Sequence, residues 1–378
     1  MKQIDETLLK SNIEKIAQYD FDNHKVFGSA YCVIQNDRVI YQNCFGNTSI
    51  NTSDPVNENT LFRLASMTKP ITAVAALILV ERGLLSLSDK VSDYLPQYKD
   101  LHIMRVSKEN ELIDEGSVHT EVTVHHLLTH TSGIGNSPEK ARQMTDVDRG
   151  SLDGSVNFYA KAGLDFEPGS QAQYSPTGAF DVLVKIIELA SKTDFPTFLK
   201  QEIFEPCEMT DTTFEPTPEQ WSRIVNMHNR VDGANCVYKM WDGCIFETIP
   251  CAHYLGGAGL SSTLADYARF ARMLLNEGQA DKKRILKAET LRLLHTPYVP
   301  FDKHHSWGLG VRVVTNETYR GLPVGAFGWS GAYGSHFWID PENRVAAVFM
   351  KNSRIDGGAG NESARNFEKA VDNSFKEE

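Results

Sequence analysis

The chain has 378 residues, 41% of them hydrophobic and 10% aromatic, enough to bury a sizeable core in one large or two smaller domains, so disorder is not expected. Its formal charge of −11 comes from 38 basic and 49 acidic residues with the two signs interspersed. Such a surface repels phosphate backbones and anionic lipids on average, so neither nucleic acid nor a membrane is an expected partner. The longest wholly apolar run, AVAALILV at residues 73–80, is too short to span a bilayer.

The N-terminal MKQIDETLLKSNIEKIAQYD carries acids and amides where a secretory signal would carry an apolar core. It predicts an amphipathic helix using Ile4, Leu8, Ile13 and Ile16. SAYCVIQNDRVIYQNCFG predicts two strands turning at Asn36-Asp37, with β-branched and aromatic residues on both arms. ITAVAALILVERG predicts a helix closed by Gly83, and VSKENELIDEG a small hairpin between residues 106 and 116. From there to about residue 215 helical patterns dominate, in TVHHLLTHTSG, SVNFYAKAG, GAFDVLVKIIELASK and FPTFLKQEIF. SSTLADYARFARMLLNEG begins with candidate caps and ends with Gly278. Strands then return in WGLGVRVVT, VGAFGWS, GSHFWIDP and RVAAVFMKN, before a closing helix in ESARNFEKAVDNSF.

This order predicts an α/β protein of the α+β type: one antiparallel sheet built from both chain ends, flanked by helices, with a mainly helical segment inserted. Residues 1–86 and 256–378 form the sheet part and 87–255 the helical part, with the active site expected at their interface. The six cysteines, Cys32, Cys44, Cys207, Cys236, Cys244 and Cys251, include no C-x-x-C pair. Without an export signal, they predict reduced thiols and a cytoplasmic protein.

Within LASMTKPITA, Ser66 and Lys69 stand three residues apart at a predicted helix start. Pro70 marks that start, because proline lacks an N–H and is tolerated only near the first turn. There, unpaired backbone N–H groups and the positive dipole end favour an oxyanion. The i, i+3 spacing puts Lys69 on the same face as Ser66. Burial beneath an apolar helix is what makes a lysine useful as a base.

The stretch LFRLASMTKPITAVAALILVERGLLSLSDKVSDYLP resembles the active-site helix of the serine β-lactamase and penicillin-binding-protein superfamily, whose motif is S-x-x-K. The resemblance continues through VTVHHLLTHTSGI, EPGSQAQYS, IFEPCEMTDTTF, GGAGLSSTLADYARF and FGWSGAYGSHFWIDPE, and so covers most of the chain. It implies a β-lactamase/transpeptidase-like fold and a catalytic trio of Ser66, Lys69 and Tyr174. In that family the tyrosine oxygen faces the nucleophile and shuttles its proton, a role that calls for nearby ammonium charge.

Two motifs depart from the commonest pattern. Tyr174-Ser175-Pro176 has proline where the family's Y-x-N has an asparagine that binds the amide of an acyl side chain. Trp329-Ser330-Gly331 stands where K-T-G supplies a lysine for a substrate carboxylate. Losing that charge-assisted contact costs about 1.5–3 kcal/mol, which predicts a pocket for neutral, partly apolar acyl groups. W-x-G with S-x-x-K is similar to the β-lactamase-fold carboxylesterases, often called family VIII. That likeness implies substrate contacts by Trp329, Ser330 and Gly331, and an oxyanion hole from the N–H groups of Ser66 and Ala332. Glycine at 331 is expected to let the strand backbone approach the substrate.

Rival sites are weaker. GWSGA around Ser330 lacks the last glycine of a nucleophile elbow and precedes no helix. His126 and His130 fall at i, i+4 without the acid of H-E-x-x-H, and are expected on a helix surface or in packing. Asp89 and Asp93 are expected in a structural turn, Arg63 as an ion-pair partner, and His304-His305 in a loop, while His336 faces the pocket or the opposite side of the sheet. The expected function is a serine carboxylesterase working through an acyl-enzyme, with no metal or organic cofactor. The alternatives are a β-lactamase, D-amino-acid peptidase or amidase, an acyltransferase using the same acyl-enzyme, and a non-enzymatic binding protein that retains the fold.

Overall fold

The computed structural model describes residues 1–237, 253–317, 319 and 321–376, and is organised around one eight-stranded antiparallel sheet. Its strands are β1 (Gly28–Gln35), β2 (Arg38–Gly46), β3 (Val299–Pro300), β4 (His305–Trp307), β5 (Arg312–Val314), β6 (Phe327–Ser330), β7 (His336–Asp340) and β8 (Val345–Met350). Their spatial order is β2-β1-β8-β7-β6-β5-β4-β3, so the sheet joins the two chain ends where β1 pairs with β8, Ala30 opposite Met350. Asn36 and Asp37 both take positive φ (49° and 68°), the pair of left-handed residues that a two-residue hairpin with the right twist demands.

Every residue of β1 is buried, because helices cover both faces of the sheet. The strand period of two divides the side chains between two cores. Ala30, Cys32 and Ile34 join the larger core with helices Thr68–Glu81, Gly178–Ser191 and Leu264–Leu275. Tyr31 and Val33 join the smaller one with helices Glu6–Asp22 and Glu362–Asp372.

The first helix differs from the expected face. Asp5 caps it by accepting the Thr7 and Leu8 N–H groups, and Leu9, Ile13 and Ala17 form the buried stripe. Leu9, not Leu8, lies four residues before Ile13, so Leu8 is left 43% exposed, while Ile4 precedes the helix and bridges Phe375.

WGLGVRVVT also departs from a single strand. It is split into β4 and β5 by a turn in which Gly308 N–H donates to the Val311 carbonyl at 2.9 Å. Gly310 has φ +70°, and a Cβ there would stand 3.3 Å from the Lys69 carbonyl. The turn therefore seats against the Thr68–Glu81 helix, and a side chain would crowd it.

Among the described residues three short antiparallel pairs lie outside the main sheet: Leu61–Arg63 with Ser261–Thr263, His102–Val106 with Leu112–Ser117, and His228–Val231 with Ala234–Val237. In TVHHLLTHTSG the helix covers only Val124–Leu128, and His130 beyond it adopts φ +58°. Cys32, Cys44, Cys207 and Cys236 are free thiols, whereas Cys244 and Cys251 lie outside the described residues. Among the described residues no helix is long and apolar enough to cross a membrane.

Candidate active site

Ser66 lies in a tight turn, Ala65–Met67, that runs directly into the Thr68–Glu81 helix. The approach is fixed by the Leu61–Arg63 pairing and by Leu64 N–H on the Leu260 carbonyl at 2.9 Å. Ala65 is forced to φ +46°, a left-handed conformation that costs an L-residue about 1–2 kcal/mol and is found where a chain is held for function. No local sequence signal announces it. Ser66 remains partly exposed, while the helix behind it, with Lys69, is buried.

The Lys69 ammonium donates to the backbone carbonyls of Pro176 (2.5 Å) and Gly257 (2.8 Å). It lies 4.9 Å from the centre of the Tyr174 ring and 5.0 Å from that of Phe180. Both of its hydrogen bonds among the described residues go to neutral acceptors, and an ammonium has three N–H groups, so one donor remains. Gly257 is a glycine for a steric reason: a Cβ would stand 2.8 Å from the Pro176 carbonyl oxygen and 3.0 Å from the Lys69 nitrogen.

Tyr174 brings its phenol to Ser66, donating to Oγ at 2.6 Å across 108 residues of sequence. It lies in residues 171–177, which form neither helix nor strand. On its far side stands a cluster of rings: His130 at 4.7 Å between centroids, Trp329 at 5.4 Å and Trp307 at 5.9 Å, with the two tryptophans 4.8 Å apart. The position of the family's third lysine is thus filled by an apolar wall. The Trp329 indole N–H is buried without a partner among the described residues.

Beyond Trp329 the chain turns at Gly331. A Cβ at Gly331 would lie 2.3 Å from both the Leu64 carbonyl oxygen and the Ser335 hydroxyl. The close approach that requires this glycine is therefore to the segment entering Ser66, where the sequence had pointed to substrate. The Gly331 N–H is already bonded to the Ser335 carbonyl at 2.8 Å, whereas the N–H of Ala332 finds no acceptor among the described residues.

A family model described as Beta-lactamase matches residues 9–370. The chain belongs to the β-lactamase family. Protein Rv1367c of Mycobacterium tuberculosis is 30% identical over 347 residues, covering 85% of each chain. Esterase EstB of Burkholderia gladioli is 28% identical over 94% of each. Among solved structures, EstCE1, described as a hydrolase with promiscuous acyltransferase activity, superposes with a TM-score of 0.83 at 22% identity, covering 97% of this chain and 99% of that one. The resemblance read from the motifs is borne out, as is the β-lactamase-like fold with its antiparallel sheet.

Within this β-lactamase-family chain, Ser330 is turned away from the pocket. Trp329 faces Tyr174, so by strand alternation the next side chain faces the other layer. There the Ser330 hydroxyl meets His336 Nδ1 at 2.8 Å, and His336 Nε2 meets Glu368 Oε1 at 3.0 Å. Arg312 and the Tyr319 hydroxyl complete the cluster by donating to the same carboxylate at 2.9 and 2.7 Å. A substrate contact by the Ser330 side chain does not fit this placement, and His336 takes the opposite side of the sheet.

The other rivals are dispersed. His126 Nδ1 accepts the Thr123 N–H at 3.2 Å as part of a helix cap, so it and His130 do not form a pair of ligands. Among the described residues no group of three or more acidic, histidine or cysteine side chains could hold a metal ion. Asp89 accepts the Ser86 N–H and the Tyr94 hydroxyl, both at 2.8 Å, in the expected structural turn. Arg63 donates to the Val225 carbonyl at 3.2 Å and lies over the Trp221 ring. His304 lies in the expected loop, but His305 is the first residue of β4, where it binds the Asp302 carboxylate of that loop.

Proposed function

We propose that this protein is a serine hydrolase that cleaves carboxylic esters of neutral acyl groups through a covalent acyl-enzyme. The observation that carries the reading is the 2.6 Å contact between Ser66 Oγ and the Tyr174 phenol beside the buried Lys69, walled by Trp329 in place of a cation. Ser66 attacks the ester carbonyl from the form of the site in which the Tyr174–Lys69 pair holds one proton fewer, so that the Tyr174 oxygen accepts the serine proton. The oxyanion is met by the Ser66 and Ala332 N–H groups, and the proton is returned to the departing alcohol. Water, activated by the same pair, then releases the acid. Ser66, Tyr174 and Ala332 belong to three segments that meet where the sheet part, residues 1–86 and 256–378, adjoins the helical part, 87–255. Trp329 and the Gly331 turn shape the acyl side of that junction.

EstB is an esterase by name, and kinship with it supports an ester substrate. Pro176 and Trp329 weigh against anionic β-lactams and peptides, because neither side chain replaces the amide or the ammonium that would hold them. The test is the initial rate on p-nitrophenyl butyrate and on nitrocefin, for the wild type and Ser66→Ala. Ester turnover that vanishes with Ser66, with little nitrocefin turnover, is the expected result. Comparable nitrocefin turnover would instead make it a β-lactamase, and unchanged ester turnover in the variant would remove Ser66 as nucleophile.

The acyl-enzyme also allows transfer to an alcohol, a second reading favoured by the activity described for EstCE1. Faster ester consumption with added alcohol, together with the new ester as product, would establish it. The four free thiols among the described residues fit a reducing compartment, and a cytoplasmic location is testable by cell fractionation.

A further inference from the structure

Tyr174 sits in a stretch with no ladder and no helical hydrogen bonds, so its placement depends on whatever holds the backbone on either side. Among the described residues four hydrogen bonds to the backbone of residues 173, 175 and 176 do this. The Gln173 N–H donates to the His130 carbonyl at 2.9 Å, and the Gln173 carbonyl accepts from the Asn136 side-chain amide. The Ser175 N–H donates to His130 Nδ1 at 3.2 Å, and the Pro176 carbonyl accepts from Lys69 at 2.5 Å. Two of the four come from one residue. His130 grips the residue before Tyr174 with its backbone and the residue after it with its ring, and that ring packs against the tyrosine itself at 4.7 Å.

The grip needs an unusual backbone. His130 has φ +58°, a conformation disfavoured for a residue with a Cβ, and it is fully buried between Tyr174, Trp307 and Phe180. We infer that His130 is a positioning residue for the acyl-transfer reaction, setting the Tyr174 phenol on Ser66 by bonding the backbone on both sides of it. This inference rests on the proposed role of Tyr174.

Nδ1 accepts a hydrogen bond only in a neutral imidazole, with the proton on Nε2. Burial pushes this histidine well below its ordinary value, and the nearby Lys69 charge adds to the effect, so the accepting form is the stable one. Among the described residues the hydrogen bonds of His130 go to Gln173 and Ser175 and not to Ser66. Its influence is geometric, and a shift on the order of 1 Å between reacting groups costs up to about a hundred-fold in rate.

The test compares two amides of similar polarity. In His130→Asn the side-chain oxygen can occupy the position of Nδ1 and accept the Ser175 N–H, and asparagine tolerates positive φ. In His130→Gln the amide reaches instead toward the position of Nε2. With p-nitrophenyl butyrate, His130→Gln is expected to lower kcat about ten- to a hundred-fold with KM within about three-fold, while His130→Asn recovers most of the rate. In a Tyr174→Phe background the same Gln substitution is expected to cost almost nothing further, because the group it positions is gone.

Equal rates for the two variants would overturn the inference. So would costs that multiply in the double variant, which would mean that His130 acts independently of Tyr174. Thermal melts assign any loss that follows folded fraction alone to packing, which also overturns it. If the wild type turns over no ester, the functional reading fails separately. The positioning role is then read from the rate at which a fluorophosphonate labels Ser66 in the same variants, with the same ordering expected.

Discussion

Ser66 and Ser330 lie on opposite sides of the sheet strand β6, each hydrogen-bonded to a neighbouring side chain with a charged group close by. On one side Ser66 meets Tyr174 beside Lys69; on the other Ser330 meets His336, Glu368 and Arg312. By residue type the second cluster is the more familiar one, since serine, histidine and a carboxylate are the members of a nucleophilic triad. Its chemistry is closed off all the same. Ser330, His336 and Glu368 are 3%, 1% and 2% exposed, so no substrate carbonyl can reach the hydroxyl. Ser66 is partly open and its partner Tyr174 packs against a wall of rings. What differs between the two serines is access: under the proposed function, exposure more than the identity of the serine's partner separates the candidate nucleophile from a structural hydroxyl.

The sealed cluster has its own work. Burial alone would raise the Glu368 carboxyl, but the Arg312 charge and the His336 N–H outweigh it and hold it at about 2. The carboxylate therefore accepts from His336 Nε2–H, and burial keeps that imidazole below its ordinary value, hence neutral. Nδ1 is left to accept the Ser330 hydroxyl proton. The chain of bonds ties β6 and β7 to the Glu362–Asp372 helix, behind the strand whose other face carries Trp329.

Substitutions can break this contrast at several strengths. Ser66→Ala should remove ester turnover by about four orders of magnitude or more while leaving the melting temperature within a few degrees, measured by initial rates and calorimetry. Retained turnover would put the nucleophile elsewhere. Tyr174→Phe keeps the ring packing and deletes the hydroxyl, so kcat should fall about a hundred- to ten-thousand-fold with KM little changed.

On the sealed side the effects should move from rate to stability. Glu368→Ala leaves the buried Arg312 without its counter-charge and should cost about 3–5 kcal/mol in denaturant unfolding, with kcat of the folded fraction changed only a few-fold. A collapse of kcat at full folding would show that this cluster serves the chemistry directly. The pH dependence follows from the same carboxylate. Its folded-state value of about 2 lies below the ordinary 4.5, so its contribution to stability is complete above 4.5 and is lost as pH falls through about 2. Melting temperatures of the wild type and Glu368→Gln between pH 5 and 2 should converge as the pH falls. Parallel curves would mean that the carboxylate does not carry the acid sensitivity. Smallest of all, Ser330→Ala removes one hydrogen bond to His336, and should cost about 1 kcal/mol with ester kinetics within about two-fold of wild type.

Much of this molecule follows from local rules. Asn36-Asp37 turns a hairpin because few residue pairs tolerate two successive positive φ angles. The apolar run after Pro70 makes a helix that only burial can satisfy, and the spacing of Ser66 and Lys69 puts both on it or at its mouth. Tyr174 and Trp329 were singled out by the resemblance of their motifs to those of the β-lactamase family, and the tryptophan's lack of charge is a property of the residue itself.

What the tertiary structure decided is direction. Period two says that Trp329 and Ser330 face opposite layers, yet only the pairing of β6 with β7 and the packing of the last helix say which of the two lies on the side of Tyr174. Gly331 reads as room for a substrate until the Leu64 carbonyl is found against it. His130 reads as a packing residue on a helix until the chain leaves the helix at Leu128 and turns the imidazole under residues more than forty positions further on. Such contacts join segments whose separation in sequence carries no record of their meeting. Sequence fixes which groups are available and in what local shape, and the burial of two cores on one sheet determines which of them meet.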